Sequence, residues 1–206
     1  LYDSRIRADH TDDFRDIANA ASLLGRLAIE GVDVGDRWDE LADLAQNRIA
    51  DRSLVFADLH YALALAGAGR TDKAAALAQS LGAPQWSGDQ HSVSRAGGAA
   101  MADAIASWGD GQYARAAQLL LATRGMRQQL GGSHAQRDIF EQLTIDSLIK
   151  SGRRDEACDL LGQRLAARTR NRFAERRLTA LMQSGARLAG QNRRIASRQV
   201  PLANAI

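Results

Sequence analysis

A six-residue pattern that recurs three times constrains the fold of this chain more than any other feature of its sequence. Each copy consists of a glycine, four variable residues and an alanine, and the copies occupy residues 69–74, 111–116 and 152–157. A weaker copy occupies residues 36–41, and successive copies are 33, 42 and 41 residues apart. Glycine ends a helix readily because it accepts a left-handed conformation, and alanine lets the next helix approach closely. The pattern therefore predicts turns between paired helices that repeat along the chain.

Apolar residues recur at helical spacing on both sides of these turns. Only two prolines occur, and the abundant alanine and leucine favour helix because they lose little conformational freedom there. The predicted helices, the first with Thr11 as its N-cap, span residues 11–30, 37–50, 54–68, 71–81, 92–108, 112–124, 134–150, 154–168 and 172–183. A short helix pair cannot bury its apolar face alone, so the pairs must stack on one another. We therefore predict an all-α fold, a right-handed superhelical stack of antiparallel helix pairs with about nine helices.

Basic residues are concentrated at the C-terminal end. From Arg164 onward the chain carries ten basic residues and a single acid, Glu175. Residues 1–184 are predicted to form the repeat domain, as a fragment of a longer protein, and residues 185–206 a basic, flexible tail. A polar cap on the last repeat explains the arginines most simply. An acidic partner, either another protein or the acidic body of this chain, is the second interpretation. Nucleic acid is disfavoured because no aromatic platform or recognition motif accompanies the arginines.

The turn pattern resembles the tetratricopeptide repeat, which has glycine, aromatic and alanine positions of this kind. Trp38 and Tyr113 occupy the aromatic positions. More narrowly, the chain is similar to the C-terminal part of the tetratricopeptide repeat protein 38 family. This similarity is carried by the run FADLHYALA at residues 56–64 and, more specifically, by GGSHAQRDIFEQ at residues 131–142.

The resemblance covers roughly residues 23–168 and implies a helical repeat fold with little settled biochemistry. It also implies further repeats upstream of Leu1. The chain departs from the repeat pattern in three respects. The usual repeat-ending proline is missing, Ile145 stands where a small residue is expected, and two spacings exceed the usual 34 residues.

Two stretches between repeats, residues 83–91 and 125–133, are longer than a simple connection requires. Loops of this kind often carry function. In a stack of helix pairs both would emerge along the same edge and could form one site. The second loop runs into residues 131–138, with the sequence GGSHAQRD, which we call the GGSHAQRD segment.

The GGSHAQRD segment is the strongest candidate binding site. Ser133 is positioned to cap the following helix, whose first free amides would face a nearby anion. His134 and Asp138 lie four residues apart on one helical face, with Arg137 and Gln136 beside them. Three interpretations stay open. The residues cap the helix and tie down the loop, they bind an acidic peptide end or small anion, or they form a metal or catalytic site.

His60, with Asp58 two residues before it, is the second candidate. It lies early in the first helix of a pair, where a repeat array presents its concave face, although a lone histidine there is more often structural. Convergence of His60 and His134 would favour a metal site, with Asp58, Asp138 or His91 available as a third ligand. Trp86, beside Pro84 in the first long loop, is a third candidate, either as an exposed anchor for a partner or as a lid.

No catalytic residue, metal ligand or cofactor is predicted. Ser133, His134 and Asp138 are the residue types of a hydrolase triad, but triads are not assembled on one short segment. The single cysteine, Cys158, cannot form an intramolecular disulfide, which indicates a reducing compartment. No apolar stretch approaches the ~20 residues that span a bilayer, so we expect a cytoplasmic protein without a membrane partner.

The sequence thus favours an interaction module whose inner groove and two long loops bind a protein or peptide. The alternative is a small-ligand or metal-dependent enzyme domain with its site around His60 and the GGSHAQRD segment. The oligomeric state is not determined by these patterns.

Overall fold

The computed structural model describes residues 1–84, 88–168 and 170–184. Over these residues the chain is helical and contains no strand, as predicted. Trp86 and the tail at 185–206 lie outside the described residues, so the predictions for them stay predictions. The contacts divide the chain into a first unit, Leu1–Gly152, and a second unit from Arg153 onward.

Eight α-helices, seven of which have ten or more residues, account for most of the described part of the first unit. They are α1 (Phe14–Ile29), α2 (Arg37–Gln46), α3 (Val55–Gly67), α4 (Thr71–Gly82), α5 (Asp89–Val93), α6 (Ala99–Gly109), α7 (Tyr113–Ala122) and α8 (His134–Lys150). Shorter helical segments of π or 3-10 geometry span Tyr2–Ile6, Ser94–Gly98 and Arg124–Leu130. None of the helices described here combines the length and the apolar character that crossing a membrane requires.

The predicted helices are confirmed, and α8 agrees with its prediction at both ends. Two details differ. The predicted N-cap Thr11 is wrong, because Asp13 caps α1 by accepting a 2.8 Å hydrogen bond from the backbone N–H of Arg15. The helix predicted over residues 92–108 is broken at Gly97, whose φ of 157° lies outside the helical region.

The glycine turns adopt the predicted conformation. Three turn glycines have positive φ, namely Gly69 (72°), Gly111 (74°) and Gly152 (79°). The three alanines that follow them are fully buried, namely Ala74, Ala116 and Ala157. Each glycine lies just after the end of one helix, and each alanine lies in the first turn of the next.

Helices α3 and α6 approach each other closely where α6 ends. A Cβ added at Gly109 would lie 2.7 Å from the Cβ and 3.0 Å from the Cα of Ala66. We expect Gly109→Ala to destabilise the first unit by about 1–3 kcal/mol, because a backbone atom cannot move aside as a side chain can. Urea unfolding followed by circular dichroism measures this loss. The control is Gly125→Ala, where an added Cβ meets nothing within 4 Å; equal stability of the two variants would contradict the prediction.

Helix α3 lies at the centre of the first unit. Every residue from Val55 to Ala66 is buried. It packs against α1, α2, α4 and α6. A helix that is apolar on nearly all sides is stable only when neighbours cover all of it. The polar residues of α3 are therefore interior residues.

Helix α8 packs against α1, although more than a hundred residues separate them in sequence. Arg26 donates a 2.5 Å hydrogen bond to the carbonyl oxygen of Ala135, and Gln136 donates a 3.2 Å hydrogen bond to Asn19 Oδ1. A strictly linear array brings only neighbouring repeats together. The contact between α1 and α8 is therefore an arrangement that the repeat pattern did not predict.

The second unit contains α9 (Arg154–Ala167) and the helical residues 172–184. The guanidinium groups of Arg164 and Arg177 lie 5.5 and 5.2 Å from the ring centroid of Phe173. Ala174, the residue after that phenylalanine, is fully buried. Cys158, in α9, is partly exposed. The arginines of this unit therefore pack on apolar surface as well as facing solvent.

Candidate functional site

His60 is an interior residue of α3 with both ring nitrogens occupied. Its Nδ1–H donates to the carbonyl oxygen of Phe56 over 2.7 Å, and its Nε2 accepts from the Ser22 hydroxyl over 3.0 Å. The tautomer follows because a carbonyl oxygen can only accept. The imidazole also lies between the rings of Phe56 and Phe140, with centroids 4.4 and 5.2 Å away. Helices α1 and α8 thus cover the face that was predicted to be open.

Burial lowers the pKa of His60 to about 4, and the positive charge of Arg26 acts in the same direction. The carbonyl groups of Phe56 and Gln136 oppose this shift. His60 is therefore neutral at pH 7, as its two hydrogen bonds require. These contacts make it a structural residue that ties α3 to α1.

Asp58 is buried, at 3 % exposure, and its Oδ2 finds no hydrogen-bond partner among the described residues. Burial, with a smaller contribution from the charge of Asp51, raises the pKa of this carboxyl group to about 7, and Arg52 acts in the opposite direction. An ionised carboxylate without a partner is unfavourable in such a place. Asp58 is therefore a buried acid close to its titration point at neutral pH.

The GGSHAQRD segment forms the start of α8. The Ser133 hydroxyl accepts from the backbone N–H of Gln136 over 3.2 Å, and Gln136 Oε1 accepts from the backbone N–H of Ser133 over 2.8 Å. These two bonds are a capping box, so the predicted capping by Ser133 is confirmed. Arg137 Nη1 donates to the carbonyl oxygens of Gly131, over 2.8 Å, and Gly132. Arg137 therefore holds the glycine loop against the helix.

The two histidines of the predicted site are in different surroundings. His134 is exposed, whereas His60 is fully enclosed, so they do not meet in a common cavity. Asp138 accepts a 2.7 Å hydrogen bond from Gln142 Nε2 on its own helix. Across residues 1–84, 88–168 and 170–184, no group of three or more histidine, cysteine, aspartate or glutamate side chains is arranged to hold a metal ion.

An apolar cavity of about 280 Å³ lies where α1, α3 and α8 begin. We call it the N-terminal cavity. Its lining comprises Phe14, Arg15, Leu54, Phe56, Leu130, Gly131, Gly132 and Gln136. Helix starts carry partial positive charge, so an apolar pocket here has a rim that favours carbonyl or carboxylate oxygens. Arg15 itself pairs with Asp13, its Nη2 lying 2.6 Å from Asp13 Oδ2.

Gly132 determines the shape of this cavity. Its φ is +68°, and an added Cβ would lie 2.5 Å from Cε2 of Phe56. Only glycine meets both conditions without strain, because L side chains rarely adopt this φ and the ring occupies the space. The loop therefore lies directly against the Phe56 ring and forms one edge of the cavity.

The GGSHAQRD segment, which was predicted as a site from the sequence, forms the loop side of the N-terminal cavity. The other walls of the cavity were not predicted. Phe14, Leu54 and Phe56 come from α1 and the start of α3, and only tertiary packing brings them to the loop. An apolar residue at or beside each helix start is a signal that was available in the sequence. That signal alone does not indicate which helix starts meet.

A second concave surface is lined by residues of α4, α6 and α7 and was also missed. Two adjoining cavities of about 440 and 410 Å³ share Ala75, Asp103 and Arg115 in their walls. Both α4 and α7 pack against α6, which forms the floor between them. We call this surface the α6 groove. Five of the 14 residues that line the two cavities are alanines, and most of the others are polar. Alanines at helical spacing are indistinguishable in sequence from ordinary core positions.

Comparison with known proteins adds no family to this description. No protein-family model matches the chain, and no solved structure matches it at a significant level. What the chain does has to be inferred from the two concave surfaces and the residues that line them.

Proposed function

We propose that this chain is a protein- or peptide-binding module, and that the N-terminal cavity holds an apolar side chain of the partner. The observation that carries the proposal is the coincidence of two independent features. The GGSHAQRD segment stands out in the sequence, and its first two glycines and Gln136 line an apolar cavity between three helix starts. Small apolar pockets with a few polar groups at the rim are the usual form of ligand sites.

The size and chemistry of the cavity fit one side chain and a short piece of main chain. Burying a leucine- or phenylalanine-sized side chain contributes about 1.5–3 kcal/mol. The partial positive charge of three helix starts favours acceptor oxygens beside that side chain. A peptide end, with a terminal carboxylate next to an apolar residue, combines both features. We therefore infer that the partner presents an apolar residue flanked by carbonyl or carboxylate oxygens.

We extend the proposal to architecture and setting. The helix pairs are tetratricopeptide-like repeats of a right-handed solenoid, and the chain belongs with the C-terminal part of the tetratricopeptide repeat protein 38 family. Positive-φ turn glycines followed by buried alanines support the repeat assignment. The narrower family assignment rests on the sequence runs at residues 56–64 and 131–142. The module works in the cytoplasm as a scaffold without a membrane or nucleic-acid partner.

The enzyme alternative finds less support among the described residues. It needs an imidazole available to substrate or metal, and both nitrogens of His60 are engaged by Phe56 and Ser22. His134 is exposed, and neither hydrogen bond of the capping box involves its imidazole. A binding function requires no such group, because its energy comes from contact and charge.

Leu54→Trp tests the proposed cavity. Leu54 is the N-cap of α3 and lines the cavity, so an indole at this position should fill the space that a partner side chain would occupy. The ligand is the best-binding peptide that the wild-type chain selects from a random display library. We expect at least tenfold weaker binding by fluorescence anisotropy, corresponding to about 1.4 kcal/mol.

The matched control is Ala75→Trp, which adds an indole to the α6 groove instead. It should leave the affinity for the same peptide unchanged. Circular dichroism verifies that both variants keep the helicity of the wild type. Unaltered affinity of Leu54→Trp, or failure of the library to yield a binding peptide, would overturn the proposed function.

A further inference from the structure

The residues that line the α6 groove extend along the whole of α6, from Ala99 to its C-cap Asp110. Helix α6 spans 11 residues, which corresponds to about 16 Å at 1.5 Å per residue, or three helical turns. Helices α4 and α7 rise on either side because each packs against α6. A fourth helix laid along this floor would contact all three, as helices in a layer do.

Small side chains line the groove along its length. Ala75 and Ala78 belong to the α4 wall, and Ala100 and Ala106 belong to the floor. Short side chains permit the axes of packed helices to approach to the lower end of the usual ~8–10 Å range. The surface therefore matches a helix that presents small residues on its inward face.

The charge of the groove is acidic. Asp72, Asp103 and Asp110 line it, and its basic residue, Arg115, is paired with Asp103 over 2.6 Å. Two carboxylates thus remain without a basic partner in the lining. The surrounding first unit is acidic as well, with 20 acidic and 15 basic residues and a net charge of −5. A basic occupant is therefore favoured both at the groove and on approach to it.

From this complementarity we propose that the α6 groove docks a short amphipathic α-helix of a partner protein, with alanine-sized residues facing inward and arginine or lysine along its edges. This surface is separate from the N-terminal cavity, so the module has two contact sites. The basic edges lie over Asp72 and Asp110. The small inward face lies against the alanines of α4 and α6.

A helical display library tests this assignment on the full chain. Its members are about 14 residues long, matching the groove, with one stripe randomised among small and apolar residues. Half of the library carries arginine beside that stripe, and the other half carries glutamate. We expect the arginine half to be enriched on the wild-type chain, with at least tenfold loss of binding on Ala75→Trp and on the double variant Asp72→Asn, Asp110→Asn.

The control removes the same charge elsewhere on the first unit, by Asp9→Asn with Asp39→Asn, both exposed residues. Binding should survive in that control and in Leu54→Trp. Equal enrichment of both halves, no enrichment at all, or equal loss in the control double variant would overturn the proposal. Self-association of the wild-type chain that Ala75→Trp abolishes would assign the groove to a second copy and would overturn it too. Because Leu54→Trp reports on the N-terminal cavity alone, failure of one site is distinguishable from failure of the other.

Discussion

Replacing Arg127 with alanine is expected to destabilise the first unit by about 3 kcal/mol. Arg127, at 8 % exposure, donates 2.8 Å hydrogen bonds to the Leu120 carbonyl oxygen and to Thr144 Oγ1, and it pairs with Glu141. Alanine leaves these acceptors buried with fewer donors. Arg124, which stays paired with Glu141 over 2.7 Å, limits the loss.

Urea unfolding at pH 7 measures this effect. The control is Arg15→Ala, which removes an exposed arginine paired with Asp13. Exposed pairs contribute about 1 kcal/mol or less. The bonds that Arg127 makes to Leu120, Thr144 and Glu141 join the segment Arg124–Leu130 to α7 and α8. If the two variants lose equal stability, that connection is not what holds the segment.

Replacing Asp58 with asparagine is expected to stabilise the chain at alkaline pH, on the order of 3 kcal/mol above pH 7. The pKa of Asp58 is raised from 3.8 to about 7 in the folded protein. A raised pKa means that the protonated carboxyl is favoured by folding. Below pH 3.8 the protonated Asp58 therefore makes its full contribution to the stability of the wild type. This contribution is lost progressively as the pH rises to about 7. Asparagine resembles the protonated acid at every pH.

The stability difference between Asp58→Asn and wild type should accordingly be smallest near pH 4 and largest above pH 7. His60, whose pKa is lowered to about 4, opposes this trend, because folding disfavours its protonated form as the pH falls below 6.5. Both proteins contain His60, so its contribution cancels in the difference. Asp9→Asn, at an exposed position, serves as the control and should show a flat profile. A flat profile for Asp58→Asn as well would contradict the assignment.

Local patterns predicted the helices and turns well because they depend on residues close in sequence. The turn glycines and the box formed by Ser133 and Gln136 are examples. The break at Gly97 was missed even though a second glycine follows it, because apolar spacing continues across the pair. A helix boundary is a local property, and the two adjacent glycines at this break were visible in the sequence.

The burial of His60 could also have been predicted from α3 itself. Its sequence, VFADLHYALALAG, leaves almost no polar face, and a helix that is apolar all round is interior. The contact between α1 and α8 could not have been predicted. It depends on individual pairs such as Arg26 with the Ala135 carbonyl, which leave no periodic trace. The two concave surfaces depend on this same tertiary packing.

Chemical-shift mapping tests the central claim most directly. The ¹⁵N-labelled chain is titrated with the peptide that it selects from the random library, and the amide shifts are followed residue by residue. We expect the largest shifts at Leu54, Gly131, Gly132 and Gln136, which line the N-terminal cavity. Shifts confined to residues away from that cavity, or no shifts at saturating peptide, would contradict the claim.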